Sequence, residues 1–364
     1  MKHKSVFGEV ISILYEERFD AIIGIFTNIG VLLIEKPQES LLLVFLLIPS
    51  FFLLTRVIGT TINIYQQTKE KNLPIVVDVG YDLGNMRDMR GKAFLKMKDF
   101  KFDIKAYDKF FNIEQEDITI HCDHYLGREE IEWKNLVSEY RKKIQTINPR
   151  LRGTRYYHHF LRCPSALALG MGAVNGTINM VAVYQYNGNQ YWKVVDLRSS
   201  KSEEHNTSGI HIVKTQVSPP FEYIEVVEPS KKKKDIYIAL GLASHSPNSN
   251  VASFMESINT QIENVKGLAE NQGAALTIIK NTYNNTLDLE KDDWLKAARE
   301  VNTVIKRYAE DQRSHSIHLF LSCPVALAYT IGMGLGTQSA ITIYQWFVKD
   351  QQYHPIFRLN ELAS

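Results

Sequence analysis

The chain of 364 residues has little of what marks an enzyme or a metal protein. Its three cysteines, Cys122, Cys163 and Cys323, form no CxxC pair and no zinc-ligand spacing, so they read as reduced, buried thiols and no metal site is expected. One-sided charge is also missing: the formal net charge is +2 and the pI about 8.2, too mild for duplex nucleic acid as a partner. No P-loop, nucleophile elbow or paired-carboxylate motif occurs, so no catalytic residue is assigned and no cofactor is called for.

What is present begins with two apolar runs near the N-terminus. Phe19 to Ile34 is apolar apart from Asp20, Thr27 and Asn28, and Ser40 to Ile58 carries no charge until Arg56. Each run approaches the roughly 20 residues that span a bilayer, and Glu35 to Glu39, with Pro37, suits a turn in water. The expectation is an amphipathic helix over 1–18, then a two-helix transmembrane hairpin over 19–66. Lys2, Lys4, Arg18, Arg56, Lys69 and Lys71 flank it, which places both termini in the cytoplasm. A soluble buried hairpin is the alternative.

The second feature is a repeat. Residues 158–185 read HHFLRCPSALALGMGAVNGTINMVAVYQ and residues 318–345 read HLFLSCPVALAYTIGMGLGTQSAITIYQ, with thirteen of twenty-eight positions identical in register. A duplicated unit folds twice and packs its copies about a pseudo-twofold axis, leaving a cleft where equivalent ends meet. Strands are expected at Ile75–Val79, Ile118–Cys122, Tyr156–Leu161, Ile178–Tyr186 and Trp192–Leu197, with helices at Ile131–Thr146 and Ser165–Gly170. The later copy matches them with strands at Ile236–Leu240, Leu276–Ile279, Ile317–Leu321, Ala340–Phe347 and Ile356–Leu359, and helices at Asp293–Arg307 and Val325–Ile331. The fold class is therefore α/β, a pseudo-dimeric pair of Rossmann-like units over 74–198 and 235–364, joined by a linker over 199–234 with one edge strand in FEYIEVV.

The twice-occurring Phe-Leu-x-Cys-Pro-x-Ala-Leu-Ala, followed by Gly-Thr and Tyr-Gln, resembles the SAVED domain, a fusion of two CARF-like Rossmann units found in effectors of the CBASS anti-phage systems. The resemblance covers about residues 74–364. With two spans in front, it implies a multi-pass protein of the bacterial inner membrane, a sensor that captures a cyclic oligonucleotide, self-associates into a homo-oligomer and disrupts the lipid bilayer. It implies binding rather than catalysis. A ring nuclease that degrades the same ligand is the alternative.

Both Cys-Pro steps stand between a strand and a helix, where free backbone N–H groups favour a phosphate. The candidate ligand-binding residues are thus Pro164 and Ser165 with Arg162, and Pro324 with Ser322. From the other strand ends come Tyr81, Asp82, Asn85, Tyr125 and Arg128, with His245, Asn248, Ser249, Tyr283 and Asn284 in the second copy. Other features take structural readings. Gly332 to Gly336 ends a helix and lets it pack on the sheet, because it follows a helix where a dinucleotide loop would follow a strand. His158 and His318 point into the core. Tyr184-Gln185 and Tyr344-Gln345 either line the cleft or brace it. The lysines between Lys92 and Lys109 form a solvated face.

Overall fold

Two sheets of matching strand order organise the chain. A computed structural model describes residues 71–80, 83–151, 153–176, 180–197, 215–230, 233–245, 251–282, 286–310 and 316–363. The first lobe runs β1 (Lys71–Val79), α1 (Leu83–Met97), α2 (Ile104–Phe111), β2 (Thr119–Cys122), α3 (Glu130–Arg150), β3 (Arg155–Arg162), α4 (Ser165–Asn175), β4 (Met180–Asn187) and β5 (Gln190–Asp196). Its sheet has the order β2-β1-β3-β4-β5, with β5 alone antiparallel.

The second lobe begins with β6 (Ile224–Val227), β7 (Asp235–Gly241), β8 (Ser244–His245), α5 (Val251–Gln272), β9 (Ala275–Asn281) and β10 (Leu287–Asp288). It continues with α6 (Trp294–Glu310), β11 (Ser316–Ser322), α7 (Val325–Leu335), β12 (Ile341–Phe347) and β13 (Gln352–Arg358). The sheet reads β13-β12-β11-β7-β9-β6, the same order as the first lobe plus β6, which pairs antiparallel to β9 at one edge. β6 is the edge strand expected in FEYIEVV.

Alternation along each strand divides the core into layers. Leu73, Ile75, Val77 and Val79 of β1 and Ile236, Ile238 and Leu240 of β7 face inward, onto one apolar cluster shared with α3, α4, α6 and α7. The opposite faces carry separate clusters: Val76, Tyr156 and Phe160 under Met86, Met89, Ala93 and Met97 of α1, and Tyr237, Ala239 and Phe320 under Ile258, Ile262, Val265 and Ala269 of α5. Pro74 is tolerated in a central strand because β2 pairs with β1 only from Val76 onward, so no ladder acceptor waits for its missing N–H.

The lobes meet through α4 and α7. A Cβ on Gly172 would lie 2.0 Å from the Tyr329 carbonyl oxygen, and one on Gly332 would lie 2.1 Å from that of Leu169. The glycine motif thus packs helix on helix across the pseudo-twofold, where packing on the sheet was expected, while Gly176 and Gly336 end the two helices as anticipated. Two tails are tied down, one within the second lobe and one across the lobes. Glu300 of α6 accepts from the N–H groups of Glu222 and Tyr223, both just before β6, and α3 is tied to the C-terminal turn by Lys134 to Glu361 at 2.7 Å.

Two expectations are corrected. The amphipathic helix at 1–18 and the hairpin at 19–66 lie outside the described residues, and among the described residues no helix is long and apolar enough to cross a membrane. The membrane-spanning fold and the multi-pass inner-membrane location do not stand; the architecture shown is α/β with two sheets. The longest helix among the described residues, α5, spans 22 residues but is amphipathic, its apolar stripe packed on the second sheet. Helices α1, α2 and α5 were not anticipated.

Candidate functional site

In a sheet of order 2-1-3-4-5 the chain reverses its winding between β1 and β3, and ligands bind beyond the carboxyl ends of those strands. A cleft of about 1020 Å³ opens there. Val79, Leu161, Arg162, Cys163 and Pro164 form its floor, Tyr125 to Arg128 and Trp133 one wall, and Gln185 and Tyr186 the end of β4. The remaining wall comes from the second lobe: Val325 and the run from Gln345 to Asp350.

The first lobe's floor is charged. Asp78 is fully buried, and its carboxylate receives both Nε and Nη2 of Arg162, the latter at 2.8 Å; the His121 Nδ1 lies 3.2 Å from the Asp78 carbonyl oxygen. The guanidinium also lies 6.0 Å from the Tyr186 ring centre. A buried pair of this kind holds because both charges are hydrogen-bonded, and removing one partner costs roughly 3–5 kcal/mol. Above it Tyr125 is 77% exposed, its ring against Gly80, whose φ of +91° and missing side chain allow the approach. Trp133 is held from below, its indole N–H donating to the Gly127 carbonyl at 2.9 Å.

The helix N-termini behave differently from expectation. After Pro164, the Ala166 N–H donates to Oε1 of Gln345 at 3.3 Å; after Pro324, the Ala326 N–H donates to Oε1 of Gln185 at 3.1 Å. Each glutamine closes the β4-type strand of one lobe and caps the helix of the other. These N–H groups are therefore taken, and the two open readings of the Tyr-Gln pair are both realised, since Gln185 and Gln345 line the cleft and brace it. The hydroxyl of Ser165 adds a third bond across the lobes, donating to the Cys323 carbonyl at 2.7 Å.

The far wall owes its reach to a longer turn. In the first lobe Asn187 pairs with Gln190 around Gly188 and Asn189, both with positive φ, the compact two-residue turn that suits strand twist. In the second lobe Phe347 pairs with Gln352, and four residues, Val348 to Gln351, make the turn. The longer turn carries Lys349, which has no ion-pair partner among the described residues, and Asp350, which is bonded to Arg128 of the first lobe.

Of the candidates from sequence, Tyr125, Arg128, Arg162 and Pro164 meet at the cleft. Ser165, Ser322 and Pro324 sit at the strand-to-helix junctions beside it and are not among its lining residues. Asn85 lies in α1 and His245 in β8, with side chains outside the described set; Tyr81, Asp82, Asn248, Ser249, Tyr283 and Asn284 lie outside the described residues altogether. Sequence reasoning missed Tyr186, Trp346, Lys349 and Asp350. A signal existed: the repeat offset is 160 from Tyr184 to Tyr344 but 162 from Tyr191 to Tyr353, which places two extra residues in the second hairpin.

His158 and His318 are structural, as expected, with Nδ1 atoms 2.9 Å and 3.0 Å from the hydroxyls of Tyr184 and Tyr344. Burial pushes the Cys163 thiol up and that of Cys323 to about 12, so neither is a ready thiolate. Among the described residues no cluster of His, Cys, Asp and Glu is placed to hold a metal ion.

Comparison with known proteins gives one family. The model of the SAVED domain, described as the SMODS-associated and fused to various effectors sensor domain, matches residues 139–359, more than half of the chain. No curated protein matches. Similar solved structures include the Acinetobacter baumannii Cap4 SAVED/CARF-domain receptor with the cyclic trinucleotide 3'3'3'-cAAA, at 14% identity and TM-score 0.42 over 63% of this chain and 44% of that one. The same receptor with 2'3'3'-cAAA aligns at 13% identity and TM-score 0.44 over 79% and 51%. The Moraxella osloensis Cap4 receptor aligns at 11% and 0.38 over 81% and 50%. The chain spans about half the length of these structures.

Proposed function

Because this chain belongs to the SAVED family, we propose that it is a sensor that binds a cyclic oligonucleotide, a cyclic trinucleotide by preference, in the cleft between β1, β3 and the β12–β13 hairpin. The observation that carries the reading is the cleft itself. At about 1020 Å³ it stands at the top of the ~300–1,000 Å³ range of small-molecule sites, which suits a ligand larger than a mononucleotide. Its lining includes the aromatic side chains Tyr125, Tyr186 and Trp346 and, beside the Asp78-bound Arg162, the cations Arg128 and Lys349. Bases stack on the former at about 1–3 kcal/mol each, and phosphates meet the latter.

The reading includes binding without turnover. The one thiol lining the cleft among the described residues, Cys163, is held protonated by burial, which supports this part of the reading. The output is self-association, supported by Val348 and Tyr125, large side chains 78% and 77% exposed at the rim, where a bound ring would alter the surface on offer. Bilayer disruption, which the resemblance implied, is not part of this proposal.

Isothermal titration of the full chain against cyclic di-, tri- and tetranucleotides tests the reading, with chromatography of the ligand afterwards and sedimentation of the complex. Saturable binding of a ring recovered intact is the expected result. Silence across the panel rejects the sensor, recovery of linear products favours the ring nuclease, and an unchanged sedimentation coefficient removes self-association.

A further inference from the structure

The two hairpins at the carboxyl ends of the sheets are equivalent in the repeat but not in what they touch. The short turn of the first lobe stays at home, where Asn189 takes the ammonium of Lys92 on α1 at 2.6 Å. The longer turn of the second lobe crosses to the first, where Asp350 Oδ2 accepts from Arg128 and, within its own strand pair, lies 2.7 Å from His354 Nε2. The other carboxylate oxygen, Oδ1, is buried without a hydrogen-bond partner. Arg128 and Asp350 both line the cleft, and Arg128 is 59% exposed.

This arrangement places a carboxylate on the one guanidinium among the cleft's described residues that a ligand can reach. Arg162, the other, is bound bidentately to fully buried Asp78 and is committed. We propose that Asp350 is a displaceable surrogate for a ligand phosphate: a phosphodiester of the bound ring takes Arg128 from Asp350, and the turn from Val348 to Gln351 is released from the first lobe. The proposal rests on the cleft being the nucleotide site. The exchange is feasible because solvent reaches Arg128, 59% exposed, and in part Asp350, 26% exposed, and screens the pair, whereas a phosphodiester brings two acceptor oxygens to the same fork. The lobes themselves do not need to part, since Gln185, Gln345 and the Gly172 and Gly332 contacts hold them together. Ligand binding is thereby reported at the turn, the element that carries exposed Val348.

The test is titration of full-length variants with cyclic triadenylate and the rest of the panel. Asp350→Asn is expected to bind about two- to fivefold more tightly than the wild type, because the competing carboxylate is gone, and Arg128→Gln about tenfold or more weakly. In an Arg128→Gln background, Asp350→Asn is expected to change nothing, since no guanidinium is left to release. Asp350→Ser serves as the second variant should Asn at the turn fold poorly. Tightening that persists without Arg128 is a general charge effect and overturns the proposal, as does unchanged or weaker binding by both Asp350 variants while the wild type binds. A wild type that binds nothing on the panel overturns the nucleotide reading itself, and this proposal with it.

Discussion

The lobes share a strand order and matching aromatic contacts and differ in chemistry. Phe160 stacks on Tyr184 with ring centres 4.3 Å apart, and Phe320 on Tyr344 at the same 4.3 Å; Trp133 and Trp294 each donate an indole N–H to the carbonyl six residues earlier, at 2.9 and 2.8 Å. Yet where the first lobe has Asp78, Arg162 and His159, the register of the second puts Gly241, Ser322 and Leu319. Aromatic packing is therefore what the duplicated fold requires, while charge is free to diverge, and the first lobe has specialised as the charged floor. The second supplied the longer turn and became the far wall.

The sharpest way to break the comparison is to give the first lobe the second lobe's residues. Asp78→Ala takes from Arg162 the buried carboxylate that holds it and is expected to cost roughly 3–5 kcal/mol in urea unfolding; adding Arg162→Ser should recover most of that, since Gly241 and Ser322, which stand at these places in the second lobe, form no ion pair. Next come the glycines at the axis. Gly172→Ala and Gly332→Ala each drive a methyl into a carbonyl of the other lobe and should cost about 3 kcal/mol apiece, nearly equally; clearly unequal losses would mean that the axis is less symmetric than the backbone contacts suggest.

A smaller effect depends on pH. His159 is buried in contact with the hydroxyls of Tyr140 and Tyr329, and burial lowers its pKa from 6.5 to about 3. Above pH 6.5 it is neutral folded and unfolded, so it has no effect. Between pH 6.5 and 3 the unfolded chain binds the proton and the folded chain does not, so stability falls with falling pH and levels off below that. By pH 4.5 the loss is about 2–3 kcal/mol, and His159→Leu, which copies Leu319, should remove it in parallel unfolding curves at pH 7 and 4.5. Smallest are the crossed caps. Gln185→Ala and Gln345→Ala should each cost about 1 kcal/mol, and a pair of matching shifts in thermal midpoint would show that the two helix ends are equally served.

Much of the frame was legible because its signals are local. The strands of both sheets and helices α3, α4, α6 and α7 follow from apolar periodicity and from the repeat, which let each copy check the other. Helix α1 escaped because its buried face is Met86, Met89, Ala93 and Met97 among charged neighbours, a stripe of low contrast. Helix α5 was readable in Ile258, Ile262, Val265 and Ala269, whose spacing is helical, but it falls outside the repeated motif. The apolar N-terminal runs were read through length and hydropathy alone, and no described helix carries a membrane span. At the site, Tyr125, Arg128, Arg162 and Pro164 were found by the rule that loops at strand ends face ligands; the glutamine caps were not, because an amide has no sequence signature for the N–H it will meet.

The residues alone determined that there are two lobes, how each is wound and that their strand ends should face a cleft, because strand and helix periods and a duplication are written in neighbouring positions. Only the tertiary structure decided which lobe holds the charge, which glutamine caps which helix and that Asp350 sits on Arg128. Those contacts join residues 141, 179 and 222 positions apart, and their partners are chosen by how the two copies pack at Gly172 and Gly332, not by anything adjacent in the chain.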